Sequence, residues 1–389
     1  MGPDDPGVGT GYNDLASALE ALERYNEAIR MWRKTYQFEL KHFGQYSNES
    51  TLALAGWASA EYRDGHWTLA HNLFTQALAM YARIGGRPQI TQVYAAQKAC
   101  ALAGLRADRA SALNRCKLAR TLSATAFGAN SPLHGDSLEA TAFGDVELGD
   151  LHGARDQFEQ ARKLYGNTPA NRMRNGRVDS ELAGIALLEG KPAVARELLP
   201  GAIAGLRTRA YKMPPLIAEA RLLLACTQSP GPQCHGDLKS TVEQDLAEVA
   251  GRGDPLLLWA HTLLAQVELQ RGEPGLARAR LTHAIQRVSG ELQPAHSRRL
   301  EAQLWLAVAA ARMGDCAYAT AQAQAATAIM DANDLASHPL LAGARGDEPI
   351  HRVVQSRFEL KRHFHRPRPG IGLSCHARGR TGICRNPSP

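Results

Sequence analysis

One pattern of small and large apolar residues recurs along the chain every 42 or 41 residues. Each clear copy opens with a turn and continues as an amphipathic helix, as in GDLHGARDQFEQAR at 149–162. The first alanine of each copy keeps this phase, and it does so even across the one interval of 82 residues, which is twice 41. These anchor alanines are Ala28, Ala70, Ala112, Ala154, Ala195, Ala277 and Ala319. Because so short a helix buries little apolar surface alone, the copies are expected to pack on one another.

A matching first helix is predicted before each anchor. About thirteen residues upstream, a large residue usually precedes a small one, and the small one allows two helices to cross closely. The pairs are Leu15 and Ala16, Trp57 and Ala58, Ala99 and Cys100, Thr141 and Ala142, Leu182 and Ala183, Leu264 and Ala265, and Leu306 and Ala307. Glycines between the two helices supply the turn. The pattern predicts eight antiparallel helix hairpins, of which one, near 213–250, is irregular.

The pattern resembles the tetratricopeptide repeat (TPR), whose first helix carries a large residue and a Leu-small pair and whose second carries Ala-x3-Phe-x2-Ala. The usual period of that repeat is about 34 residues, and the longer period here resembles the repeats of kinesin light chains and of many bacterial signalling proteins. The resemblance covers residues 1–335 and implies an all-α, right-handed superhelical solenoid of helix hairpins. We expect a capping or weakly ordered segment at 336–362 and a disordered basic tail at 363–389.

The positive charge of the chain is concentrated at its C-terminal end. The formal net charge is +7, yet residues 351–389 contain nine Lys or Arg and one acid, which leaves the preceding part close to neutral. We therefore expect no nucleic-acid binding by the folded part. The tail has two further interpretations: a basic arm for an anionic surface, or a metal site. Its candidate ligands, at spacings that match no zinc template, are His363, His365, Cys375, His376 and Cys384.

No catalytic motif is present in the sequence. It contains no phosphate-binding GxxxxGK[ST], no HExxH, no GxSxG and none of the kinase loops. The glycines at 7, 9 and 11 match only part of a dinucleotide-binding fingerprint, without a preceding strand, and are interpreted as linker. The sequence therefore predicts a chain that is not an enzyme and that binds neither a cofactor nor a metal in its folded part.

The resemblance implies a non-catalytic protein-interaction scaffold that binds a peptide or a partner helix in a concave groove lined by the first helices. The candidate groove residues are Asn13, Ser17, Ser59, Tyr62, Tyr94, Gln97, Lys98, Glu139, Phe143, Arg177 and Glu181. An alternative is a detached regulatory or sensor region of a bacterial serine/threonine protein kinase, without the catalytic domain. Since the chain begins at the phase of an inter-repeat linker, we expect further repeats or a domain upstream.

Two pairs of cysteines are interpreted differently. Cys100 and Cys116 occupy packing positions of one hairpin and are expected to be free thiols that fill space. Cys226 and Cys234 flank the turn of the irregular unit and are candidates for a disulfide, which would favour an oxidising compartment. No signal peptide or membrane span is visible. We expect a soluble protein, cytoplasmic in preference, or periplasmic if it is the sensor half of a membrane kinase.

Overall fold

A computed structural model describes residues 6–105, 109–207, 213–229, 238–249, 255–333, 335 and 337–341. These ranges contain sixteen α-helices, one short 3-10 helix (Pro169–Asn171) and no strand. The α-helices are α1 (Pro6–Ala21), α2 (Tyr25–Phe43), α3 (Asn48–Asp64), α4 (Trp67–Ile84), α5 (Ile90–Leu105), α6 (Arg109–Phe127), α7 (Pro132–Glu147), α8 (Leu151–Tyr165), α9 (Arg172–Leu188), α10 (Pro192–Leu206), α11 (Met213–Gln228), α12 (Leu238–Glu248), α13 (Leu256–Gln270), α14 (Pro274–Arg287), α15 (Ser297–Arg312) and α16 (Cys316–Ala332).

The helices pack in consecutive pairs, as the 42-residue pattern predicts. Every anchor alanine lies in the second helix of its pair and is at most 3% exposed. One turn later the large residue of the pattern is buried too, as with Phe74 and Phe158, both fully buried. The small side chain lets the first helix approach, and the large one fills the remaining space. The prediction of an all-α fold of TPR-like helix hairpins is confirmed.

The turn between paired helices uses a left-handed backbone conformation, which glycine adopts without strain. The predicted turn glycines have positive φ, and Gly65, for example, has φ 94°. The first hairpin places Glu23 at the same phase, five residues before its anchor alanine, with φ 59°. A residue with a Cβ is strained in this region, so the first turn carries a cost that the turns with glycine at this phase avoid.

We expect Glu23→Gly to raise the free energy of unfolding by roughly 0.5–1 kcal/mol, since relief of the strain exceeds the entropy gained by the unfolded chain. Urea denaturation followed by circular dichroism measures the change. Gly65→Ala, which introduces the same strain at the equivalent turn, is expected to lower it. A loss of stability in Glu23→Gly would show that the contacts of the Glu23 side chain outweigh the strain.

The interpretation of the glycines at 7, 9 and 11 as linker is wrong, because all three lie inside α1. The reason is visible at Gly9, which is buried against α2. A Cβ at this position would lie 2.9 Å from Cδ1 of Phe38. The glycine thus allows a close approach of α1 to α2 and does not serve as a hinge.

The chain forms two compact units, and each is described here by itself. Unit 1 comprises the described residues of 1–178 together with 249 and 255, and unit 2 comprises those of 179–248 and 256–341. In unit 2 the predicted irregular hairpin consists of α11 and the short α12, while its connection at 230–237 lies outside the described residues. A single continuous solenoid over 1–335 stays a prediction.

The C-terminal expectations concern residues that the structure mostly does not describe. Of the predicted capping segment 336–362, only 337–341 is described, and the whole of the predicted basic tail, 363–389, lies outside the described residues. The basic-arm and metal-site interpretations of the tail therefore stay predictions.

The expectation that Cys100 and Cys116 are free thiols is wrong. The two residues form a disulfide between α5 and α6, with their Cα atoms 4.6 Å apart. Both are at most 4% exposed and occupy the small position of a first helix and the large position of a second helix. These positions face each other in a hairpin, so two cysteines there come within bonding distance. Cys226 and Cys316 are also disulfide-bonded; Cys234 lies outside the described residues, and its pairing with Cys226 stays a prediction.

Candidate functional site

The predicted groove residues all lie on first helices. They are distributed as Asn13 and Ser17 on α1, Ser59 and Tyr62 on α3, Tyr94, Gln97 and Lys98 on α5, Glu139 and Phe143 on α7, and Arg177 and Glu181 on α9. In unit 1 neighbouring first helices contact each other directly, as α3 does with α5 and α5 with α7. We call the side of these helices that carries the predicted residues the first-helix face. Glu181 belongs to unit 2 and is considered separately.

Several of the polar residues on the first-helix face bind one another across adjacent helices. Gln97 donates from Nε2 to Oγ of Ser137 at 2.8 Å. Arg177 donates to both carboxylate oxygens of Glu139, from Nε to Oε1 at 2.6 Å and from Nη2 to Oε2 at 3.0 Å. Two parallel charge-assisted bonds of this kind fix a guanidinium and a carboxylate in one plane. These side chains therefore hold neighbouring hairpins together and are not available to a ligand in this conformation.

Tyr165 extends this network from the second helix α8. Its hydroxyl lies 2.8 Å from Oε2 of Glu139 and 3.0 Å from Oδ1 of Asp136, and it donates its proton to this pair of carboxylates. Asp136 in turn accepts two bonds from Arg174, at 2.8 and 3.0 Å. Burial and the two carboxylates raise the pKa of Tyr165, so the phenol stays protonated. Burial opposes the charge of Arg177, but Glu139 outweighs it and the pKa of Arg177 is raised.

Lys98 is the exception among the cations of this face. Its Nζ lies 4.5 Å from the ring centroid of Tyr62 and 5.4 Å from that of Tyr94. No carboxylate in the described part of the chain forms an ion pair with it. Burial lowers the pKa of Lys98 to about 8, with further lowering by the charges of Arg177 and Arg63, and Glu139 and Asp136 oppose the shift. Lys98 therefore holds its proton less firmly than a lysine at an open surface.

The two tyrosine rings beside Lys98 are held in place by their own neighbours. Tyr62 stacks on Trp67, with ring centroids 5.8 Å apart and planes 19° apart. Tyr94 meets Phe74 edge to face at 6.0 Å, and its hydroxyl lies 3.3 Å from Oγ of Ser59. The rings therefore form fixed walls around the ammonium. Four predicted residues, Ser59, Tyr62, Tyr94 and Lys98, are thus brought together.

Two residues that the sequence analysis did not single out complete the group. Glu20 of α1 accepts hydrogen bonds from Oγ of Ser59 at 3.1 Å and from Nε1 of Trp32 at 3.2 Å. Arg63 of α3 places Nε 3.7 Å from Oε1 of Glu20. Burial raises the pKa of Glu20, while Arg63 and the two hydrogen bonds act against the rise. The only sequence signal for Arg63 was its position directly after Tyr62.

Phe143, Asn13, Ser17 and Glu181 are placed differently from this group. Phe143 packs inside its own hairpin, edge to face against Phe158 at 5.6 Å. On α1, Asn13 is half-buried and Ser17 is exposed. In unit 2, Glu181 is 9% exposed and accepts from Arg221 of α11, so it ties two first helices just as Glu139 does in unit 1.

The described residues contain no candidate metal site. Nowhere in these ranges do three or more His, Cys, Asp or Glu side chains come together in a way that could hold an ion. What the first-helix face of unit 1 offers instead is a cation between two aromatic rings, which is a surface for noncovalent recognition.

Comparison with known proteins assigns the chain to no family. No model of a protein family matches the chain, and no curated protein matches it. Among solved structures it is similar to the nearly identical TPR-like repeats of a putative kinesin light chain from Podosopora anserina, at 13% identity over 63% of this chain and 98% of the other, with a TM-score of 0.36. A variant form of those repeats is similar at 15% identity over 62% and 95%, with a TM-score of 0.29. At these scores no residue correspondence is drawn, and the description of the chain as an array of TPR-like hairpins rests on its own helix pairs.

Proposed function

We propose that this chain is a non-catalytic protein-interaction scaffold and that a peptide or partner helix lies across the first-helix face of unit 1. The observation that supports this most is the group of Lys98, Tyr62 and Tyr94. Neighbouring first helices are tied together by paired side chains, so this cation and its two rings are held in fixed positions before any partner arrives. Preorganised aromatic side chains beside a cation are typical of the centres of protein interfaces.

A selection of random displayed peptides on the immobilised full chain tests this proposal. We expect selected peptides to lose at least about tenfold in affinity when Tyr62 is replaced by alanine, because truncation of an anchoring ring in an interface costs about 2 kcal/mol. Tyr46→Ala is the matched control, since Tyr46 is 51% exposed but lies in the linker between α2 and α3. Affinity is measured by fluorescence anisotropy and folding by circular dichroism.

The outcome against the proposal is equally clear. Peptides whose affinity is unchanged by Tyr62→Ala, and whose binding slows amide hydrogen exchange only on second helices, would place recognition on another surface. The kinase-associated alternative stays a prediction; coding sequence upstream of Met1 that carries an in-frame kinase catalytic loop would support it.

We also propose that the protein works in an oxidising compartment. Within the described ranges, no helix combines the length and the apolarity that a membrane crossing requires. Cys100, Cys116, Cys226 and Cys316 are all disulfide-bonded. Since disulfides persist mainly where the surroundings are oxidising, they favour an oxidising compartment over the cytoplasm expected from the sequence.

A further inference from the structure

The first-helix face of unit 1 includes one cation, Lys98, that is not paired with a carboxylate of the described residues. Three of its cations have a carboxylate partner: Arg63 with Glu20, Arg174 with Asp136, and Arg177 with Glu139. Lys98 is the fourth cation and has no such partner in the described part of unit 1.

The surroundings of Nζ define what can approach it. The rings of Tyr62 and Tyr94 flank the ammonium at 4.5 and 5.4 Å, and Lys98 is half-buried. An ion pair formed beside such rings is less screened than one at an open surface. A monoanion at the end of a slender apolar stem fits these surroundings, because the anion can pair with the ammonium while the stem packs against the rings. The side chain of glutamate, or the shorter one of aspartate, has this form.

We propose that Lys98, between Tyr62 and Tyr94, receives the carboxylate of an acidic side chain, glutamate or aspartate, from the bound partner segment. This inference rests on the proposed function and gives it a ligand chemistry. A dianionic phosphate suits the site less well, since it would bring two negative charges to a single unpaired ammonium. A free C-terminal carboxylate has no side-chain stem to lie between the two rings.

A consequence for pH follows from the charged groups that face Lys98. Arg63 of α3 and Arg177 of α9 lower its pKa together with burial, Asp136 and Glu139 of α7 oppose them, and the result is a pKa of about 8. The bound acidic side chain is ionised throughout this range. Affinity is therefore fully present below about pH 7 and falls as the pH rises through 8, until the loss equals the contribution of the ion pair, which is the factor measured by neutralising the acidic residue. A lysine with its usual pKa would keep its affinity to about pH 10.

The test uses synthetic peptides taken from the selection described above, with amidated C-termini. For the full chain, replacement of the key acidic residue by glutamine or asparagine is expected to lower affinity at least tenfold at pH 7. In Lys98→Met the same replacement should change affinity less than about twofold, which a double-mutant cycle measures. Lys117→Met on α6, where the lysine is exposed, is the control and should behave like the unmodified chain.

Lys98→Arg separates charge from shape. Arginine stays protonated over this pH range. The affinity of the Lys98→Arg chain for the acidic peptide should therefore be constant from pH 7 to about 9.5, while the affinity of the unmodified chain falls. Equal pH profiles for the two chains would overturn the role of Lys98.

Three results would overturn the inference while leaving the proposed function intact, provided that binding still depends on Tyr62. These are peptides selected without any acidic position, loss of binding when the C-terminus is amidated, or a clear preference for phosphoserine over glutamate. Failure of all selected peptides to depend on Tyr62 would instead remove the proposed function, and this inference with it.

Discussion

Replacing Arg221 by alanine is expected to lower the free energy of unfolding of unit 2 by about 3–5 kcal/mol, the usual loss when one partner of a buried ion pair is removed. The side chain of Arg221 is 6% exposed and that of Glu181 is 11% exposed. Nη1 and Nη2 of Arg221 donate to the two oxygens of Glu181 at 3.1 and 3.3 Å. Without the guanidinium, the Glu181 carboxyl loses its charged partner in a site with little access to water.

Two further contacts make Arg221 difficult to replace. Its Nη1 donates to the carbonyl oxygen of Ser180 at 2.7 Å and to Oγ of Ser180 at 3.1 Å. Its guanidinium also lies over Gly184, where an added Cβ would be 2.9 Å from Cζ of Arg221. The glycine therefore provides the space through which the arginine of α11 reaches α9. Gly184→Ala is expected to destabilise in the same direction by displacing the guanidinium.

Urea denaturation of the full chain measures the Arg221 effect, and the double variant Arg221→Met with Glu181→Leu is its matched control. A buried ion pair replaced by apolar side chains of similar size often leaves stability unchanged. We therefore expect the double variant to recover most of the loss seen in Arg221→Ala. A loss below about 1 kcal/mol in Arg221→Ala would mean that solvent reaches Glu181 and that the pair does not hold the two first helices together.

The hairpins were predictable from the sequence because a single geometric requirement repeats. Each pair of helices must cross at a small residue, so alanine returns at one phase, as in Ala70 and Ala154, and a large residue follows it. The requirement is local to a hairpin and appears as a period in one chain. The first turn was less visible, since Glu23 occupies a position that glycine occupies in later turns.

The candidate site was predictable only in part. Helical phase correctly placed Lys98 and Tyr94 on a first helix. Phase could not show that Arg177 binds Glu139, because that contact depends on the offset between neighbouring hairpins, 38 residues apart in sequence. Such an offset is set by packing of two helices against each other and leaves no period in either helix. For the same reason the sequence could not predict that Glu20 of α1 contacts Ser59 of the next hairpin.

The disulfide of Cys100 and Cys116 shows how a correct phase can lead to a wrong chemical interpretation. In the preceding hairpin the same two positions are occupied by Ala58 and Phe74, and in the following one by Ala142 and Phe158. Apolar side chains fill both positions in these hairpins, so the two cysteines were expected to be free thiols that fill space. Facing positions also bring Cα atoms within the range of a disulfide, here 4.6 Å. Two cysteines at facing positions of one hairpin were therefore the sequence signal that could have predicted the disulfide.

We expect the loss of this disulfide to lower the free energy of unfolding of unit 1 by about 3 kcal/mol. The bond closes a loop with a sequence separation of 16 residues, and a cross-link of about that length restricts the unfolded chain by that amount. Cys100→Ala with Cys116→Ala removes the bond and also some buried volume, so its loss is an upper value. Denaturation of the oxidised chain, the reduced chain and the double variant, each in urea, separates the two contributions.

Thiol labelling in the denatured state decides whether the bond forms in the native protein. Chain isolated without reductant should expose no reactive thiol at Cys100 or Cys116 on unfolding, and both should react after reduction. Any effect of reductant that persists in the double variant belongs to the disulfides of Cys226 and Cys316. Free thiols at Cys100 and Cys116 in protein recovered from its own compartment would restore their role as packing residues and would remove the main reason to place the chain in oxidising surroundings.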